Sequence, residues 1–210
     1  MARTDDLLAD LRRFYDDRVR SHGPTPAGLD YNSEAAQTRR FEQLAKLLPR
    51  REPFSLLDYG CGYGSLYRYL RELGLSLRYR GFDISAEMLA QAEAFLAGET
   101  DCEIFSEESA LPVSDFTVAC GIFNNKLEVP EAKWQDHVLT TLHRICDLSR
   151  EGFAFNMLTS YSDPEKMRPD LYYGDPCFYF DYCKKNFAND VALLHDYGLY
   201  DFTILVRLAP

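Results

Sequence analysis

Leu56-Leu57-Asp58-Tyr59-Gly60-Cys61-Gly62-Tyr63-Gly64-Ser65-Leu66 decides how the rest of the chain is read. A short apolar run ends in an acid, three glycines follow at alternate positions, and a helical pattern begins behind them. That order predicts a strand, a tight turn and a helix start. Glycine accepts the backbone angles such a turn needs, and its bare main chain lets a ligand lie close at the mouth of a parallel sheet. Nineteen residues beyond Gly64 stands a second acid, Asp83, closing Arg80-Gly81-Phe82-Asp83. An acid at about that distance, at the end of the next strand, can accept both hydroxyls of a ribose. The two features together point to a nucleoside-bearing ligand.

Outward from this stretch, strands and helices alternate. The pattern predicts strands at 54–59, 77–82, 102–105, 115–122 and 152–158. Helices are expected at 63–73, at 85–97 behind a Ser85 cap, and from Pro130 to about Leu148. Such alternation argues for a parallel sheet covered on both faces. Ahead of it, Leu7, Leu8, Leu11, Phe14, Tyr15 and Val19 recur at helical spacing. A Gly/Pro-rich break at 21–28 follows, then a helix from Ser33 to about Leu48. Behind the sheet, 159–174 reads as a long loop and 176–187 as an aromatic helix started by Asp175-Pro176. Val191–Tyr197 and Tyr200–Leu208 are joined too closely for a parallel crossover, so they form an antiparallel pair. The expected fold is α/β: a Rossmann-like, seven-stranded, mostly parallel sheet with a C-terminal antiparallel hairpin and added N-terminal helices. The organisation expected is a helical segment over 1–50, serving as a lid, and a binding domain over 51–210 with an aromatic insert at about 161–188.

Composition narrows the partners. The 210 residues carry a net charge of −10, which disfavours nucleic-acid backbones and anionic lipid surfaces. Six cysteines lie scattered without CxxC spacing, so no zinc site, other metal site or disulfide framework is expected, and a reducing cytoplasm fits. Residues 1–20 are too polar for a signal peptide, and no run reaches membrane-spanning length.

The glycine turn Asp58-x-Gly60-x-Gly62-x-Gly64, the acid Asp83 and the closing hairpin together resemble the class I S-adenosylmethionine-dependent methyltransferases over roughly residues 54–208. The resemblance implies an S-adenosylmethionine site at Asp58, Gly60, Cys61, Gly62 and Gly64, with Asp83 and its neighbour Ile84 at the ribose. Glu107 would read the adenine amino group, the Glu108 backbone would meet the ring, and Gly121 would offer its carbonyl to the methionine amine. Methyl transfer is an in-line displacement that needs orientation more than a dedicated acid or base, and near-attack geometry can supply about 7–11 kcal/mol. No catalytic residue stands out accordingly. The candidates are Asn124, His195 and Tyr173, although His195 and Asp196 point to opposite faces if they sit on a strand. His137 and His143 fit a solvent-facing helix side. Acceptor contacts are expected from Tyr15, Tyr31, Asn124, Lys126, Tyr172 and Tyr173, with Asn32, Gln37 and Arg40 nearby and Arg40 reaching a carboxylate of donor or acceptor.

A nicotinamide-dependent oxidoreductase would need glycine at 65 or 67, where the chain has Ser65 and Tyr67. The function expected is methyl transfer to an O or N atom of a small molecule. A protein side-chain methyltransferase and a non-catalytic module that kept the fold are the alternatives.

Overall fold

The computed structural model describes residues 2–30, 33–50 and 53–208, with side chains from residue 7 onward. Seven strands form one sheet in the order β3-β2-β1-β4-β5-β7-β6. They are β1 (Phe54–Tyr59), β2 (Leu77–Phe82), β3 (Cys102–Phe105), β4 (Ser114–Ala119), β5 (Ser149–Leu158), β6 (Asp190–Leu194) and β7 (Asp201–Arg207). β7 alone runs against its neighbours, pairing antiparallel with both β5 and β6.

The inner strands alternate between two cores because successive side chains leave opposite faces. On β5, Ala154 joins one core while Phe153 and Phe155 join the other; on β7, Leu205 and the pair Ile204 and Val206 divide the same way. The first core is closed by α2 (Glu34–Leu44), α3 (Ser65–Glu72) and α4 (Ala86–Phe95). The second is closed by α1 (Ala2–His22), α5 (Glu131–Asp147) and α6 (Pro176–Asn186). On α5 the buried stripe is Trp134, Val138, Thr141, Leu142 and Ile145, the spacing of one helix face. Each large apolar side chain buried there contributes about 1.5–3 kcal/mol.

Local signals set the helix starts. Ser33 Oγ accepts from the Ala36 amide at 3.1 Å, Ser85 Oγ from Met88 at 3.1 Å, and Asp175 Oδ1 from Cys177 at 2.8 Å ahead of Pro176. Two strands are shorter than their composition suggests. β4 stops at Ala119 instead of reaching Ile122, because Gly121 turns at φ +74° and gives its N–H to the Asn156 side chain at 2.8 Å. β6 stops at Leu194, so the link to β7 is longer than Gly198-Leu199. His195 therefore lies beyond the strand, exposed, with its ring beside Tyr161 and Phe202.

No described helix is long and apolar enough to cross a membrane. Among the described residues no His/Cys/Asp/Glu group is arranged to hold a metal ion.

Candidate functional site

The strand order reverses between β1 and β4, which is where an open α/β sheet leaves a crevice beyond its carboxyl edge. A cleft of about 470 Å³ occupies that crevice, bounded by the ends of β1 and β2, the loops after β3 and β4, and faces of α1, α2 and α5.

Its floor is the glycine turn. The amides of Gly60 and Cys61 both donate to the Phe82 carbonyl, at 2.7 and 2.9 Å, which folds the turn back onto β2. Gly60 has φ +86°, and a Cβ there would stand 2.2 Å from Ile122 Cγ2. Gly62, at φ +55°, is covered by Leu29, whose Cδ2 would be 2.5 Å from an added Cβ. Gly60 and Cys61 thus face the cleft, whereas Gly62 lies under Leu29 and Gly64 packs against Leu96 at the start of α3.

Two buried carboxylates look into the cleft. Asp58, 2% exposed at the end of β1, accepts from the Tyr79 hydroxyl at 2.6 Å. Burial pushes its carboxyl up to about 7; the Tyr79 bond opposes that shift and the nearby Asp83 adds to it. Asp83, 9% exposed, accepts from the Gly62 and Ser85 amides, each at 2.9 Å. Burial raises its pKa too, against the pull of those backbone bonds. Two buried acids side by side make the pocket favourable for a cation and for hydroxyl donors.

At the far end lie Ser106, Glu107 and Glu108. Glu108 accepts from the Tyr59 hydroxyl at 2.5 Å and pairs with Arg144 at 3.6 Å. Ile84 and Tyr15 complete the wall, and Gly121 closes it beneath the loop after β4. Packing pushes the Tyr15 phenol up to about 12, and its oxygen accepts from Asn125 Nδ2 at 3.0 Å. Arg12, Leu29, His137 and Arg144 also line the cleft, though no motif in the sequence marks them. His137 turns inward, contrary to the solvent-facing position expected, and burial lowers its pKa.

Beside the cleft is a second chamber of about 400 Å³, sharing Leu29 and Gly121 with it. Asn124 and Tyr173 line this chamber. Asn124 gives its side-chain oxygen to the Leu158 amide at 3.1 Å and its carbonyl to the Tyr172 amide at 2.8 Å, so it braces the loop. The Tyr173 hydroxyl accepts from the Arg168 amide at 2.9 Å.

Tyr172, Lys126 and His195 line neither space. Tyr172 is buried against Tyr179, hydroxyl to hydroxyl at 2.9 Å, because the aromatic helix packs on the sheet. Lys126 lines neither cavity; its amide is held by the Asp170 carbonyl at 3.0 Å. His195 likewise lines neither. Arg40, expected at a carboxylate of donor or acceptor, lines the second chamber and bonds the chain's own Asp201, with contacts of 3.0 and 2.5 Å. Tyr31 and Asn32 lie outside the described residues.

The family model described as "Methyltransferase domain" matches residues 56–148, the span that carries the turn, both acids and the far end of the cleft. A protein of Mycobacterium tuberculosis that carries a methyltransferase name, Rv1506c, is 46% identical over 164 residues, covering 78% of this chain and 99% of that protein. The chain is a class I S-adenosylmethionine-dependent methyltransferase. The malonyl-[acyl-carrier protein] O-methyltransferase of Pseudescherichia vulneris is 36% identical over 143 residues, 66% of this chain and 53% of that protein, so the methyltransferase spans about half the length of this relative. Among solved structures, the DhpI–SAH complex superposes with a TM-score of 0.64 at 16% identity, covering 97% of this chain and 98% of that one. The Burkholderia thailandensis 1,6-didemethyltoxoflavin-N1-methyltransferase, with 1,6-didemethyltoxoflavin and S-adenosylhomocysteine bound, superposes at 0.60 and 21% identity, covering 95% and 91%. At such identities these likenesses speak for the fold.

The cleft suits the donor. It joins a bare main-chain turn, two buried carboxylates and a volume within the range of small-molecule pockets.

Proposed function

We propose that this methyltransferase moves the methyl group of S-adenosylmethionine to an O or N atom of a small molecule, with the donor held in the cleft over Gly60 and Cys61. The observation that carries the reading is the pair of buried carboxylates, Asp58 and Asp83, on the floor of a crevice at the sheet's switch point. In this reading Asp83 holds the ribose hydroxyls with the lone pairs its backbone bonds leave over, and Ile84 packs beside it. Asp58 faces the positively charged methionine end, near the Gly121 carbonyl. Glu107 and the Glu108 backbone take the adenine.

The bound donor supplies an electrophilic methyl whose C–S bonding pair returns to sulfur as the acceptor's lone pair forms the new bond. The chain's own part is to exclude water and fix the line of approach, which is where most of the rate comes from. Tyr15 on α1 and Leu29 close the cleft from above, and the segment before β1 acts as the lid. None of the six cysteines is joined in a disulfide, which fits a reducing cytoplasm.

Calorimetric titration with S-adenosylmethionine and S-adenosylhomocysteine tests the reading. Asp83→Asn keeps one oxygen for the turn and removes the charge, so donor affinity should fall by about 1.5–3 kcal/mol, or roughly 10- to 150-fold. Unchanged affinity in a folded variant refutes the assignment. Mass spectrometry of acceptor mixtures, read for a gain of one methyl, identifies the acceptor.

A further inference from the structure

We propose that the second chamber is the acceptor site and that it takes a small organic acid, held by its carboxylate at Arg168 with Lys166 and Tyr173. The proposal rests on the methyl-transfer reading and specifies its acceptor.

Position comes first. The chamber abuts the donor cleft through Leu29 and Gly121. Most of its wall comes from chain outside the matched domain: Asp30 and Arg40 before it, Ser162, Lys166, Arg168 and Tyr200 after it. The matched domain thus supplies the floor of the donor cleft, and segments outside it build the neighbouring space, where acceptor choice belongs.

Charge comes second. Among the described residues the donor cleft is lined by the carboxylates Asp58, Asp83, Glu107 and Glu108 against the cations Arg12 and Arg144. The lining of the second chamber carries Arg40, Lys166 and Arg168 against Asp30 and Asp201, with Asp163 and Asp170 behind that lining paired to Lys166 and Arg168. A site for a cation beside a site biased toward an anion favours juxtaposing a sulfonium with an acid.

Donor capacity comes third. The chamber's carboxylates are committed. Asp201 holds Arg40 through both oxygens and also accepts from Asn156 Nδ2 at 3.1 Å. Asp30 pairs with Arg18 at 3.0 Å and with Arg168 at 3.8 Å. The donors have capacity left. Arg168 places Nε and Nη2 on Asp170, at 3.1 and 2.5 Å, while Nη1 meets Asp30 only at 3.8 Å, beyond hydrogen-bond reach. Lys166 has three N–H donors and directs two, to Asp163 at 2.9 Å and to the Tyr200 hydroxyl at 2.7 Å. The Tyr173 phenol accepts from the Arg168 amide and keeps its own proton to give. Spare donors around committed acceptors are complemented by an incoming oxyanion, and a planar guanidinium edge suits a carboxylate.

The test uses the full chain saturated with S-adenosylhomocysteine and matched probes: 4-hydroxybenzoate and its methyl ester, phenylacetate and phenylacetamide, and phenyl phosphate, followed by ligand-observed NMR. The acids should bind at least about tenfold more tightly than their neutral partners and than phenyl phosphate. Arg168→Gln should erase the preference and Arg168→Lys should keep part of it, with S-adenosylhomocysteine affinity unchanged in both. Normal S-adenosylhomocysteine binding with no acid preference in the wild type, with phosphate preferred, or with the preference intact in Arg168→Gln overturns this proposal alone. Failure to bind S-adenosylhomocysteine overturns the methyl-transfer reading and the proposal with it.

Discussion

The two cavities share a wall and are built on opposite principles. The donor cleft sits at a place the sheet topology creates, and its decisive groups lie on contiguous sequence: a strand end, the turn behind it, and the end of the next strand. The second chamber has no such frame. It is assembled from the loop after α1, the face of α2, the loops around β5 and the hairpin link, brought together only when the whole chain is folded. The first space is acidic and rigidly floored; the second is crossed by ion pairs between distant segments. A fold can therefore keep one cavity for a common ligand while rebuilding its neighbour for a particular one.

The comparison breaks most visibly at Asp201, at the base of the second chamber. Its ion pair with Arg40 is buried, the two side chains being 1% and 10% exposed. Removing one partner of such a pair costs about 3–5 kcal/mol. Asp201→Ala should lower the melting temperature by roughly 10 °C, at about 2–4 °C per kcal/mol for a chain of this size. A melting curve within about 2 °C of the wild type would show that the pair is not what holds α2 to the sheet.

Asp58 sharpens the contrast from the other side. Its carboxyl, raised to about 7, sits above the ordinary carboxylate value. The folded chain holds that proton more tightly than the unfolded one, so the contribution is fully present below about pH 4. It is lost as pH rises through 7, on the order of 4 kcal/mol in all. The ligand-free melting temperature should drift down over that interval, and Asp58→Asn should flatten the drift. S-adenosylmethionine, being cationic, prefers the ionised form, so its affinity should rise with pH up to about 7 and that rise should vanish in Asp58→Asn. The same slope in wild type and variant would remove Asp58 from the donor's surroundings.

The smallest effect belongs to the rim. Tyr59→Phe removes one hydrogen bond to the exposed Glu108, so donor affinity should change by no more than about fivefold, the scale of an exposed polar contact. A larger loss would mean that Glu108 contributes its charge as well as its backbone.

How far each cavity was legible in the sequence follows from this difference in assembly. The strand–turn–helix at Leu56–Leu66, the Asp83 strand end and the caps at Ser33, Ser85 and Asp175 are local signals, and local signals survive in one dimension. β4 misled because Cys120-Gly121-Ile122 has strand-like composition, while Gly121 takes a positive φ that no ladder continues. Tyr172 was expected at a substrate because an aromatic cluster does not announce which rings face the sheet. His137 stands three residues after Trp134 and four before Thr141, so helical spacing puts it at the edge of the buried stripe of α5 and already points it inward. Asn125 went unmarked although its neighbour Asn124 was named. Its amide meets Tyr15 across 110 positions of sequence, and its side-chain oxygen is buried without a partner. Arg168 and Tyr200 stay exposed in the fold, and only the folded chain brings them to the rim of one chamber.

Arg40, Asp201, Asn156 and Gly121 form one uninterrupted polar thread, from α2 through β7 and β5 to the loop after β4. Its middle is buried, with Asn156 and Asp201 at 0% and 1% exposure. The thread ties the beginning of the molecule to its end, so neither should loosen alone. In deuterium-labelling experiments the amides of α2 and β7 would be released together, and clipping the last strand would free α2.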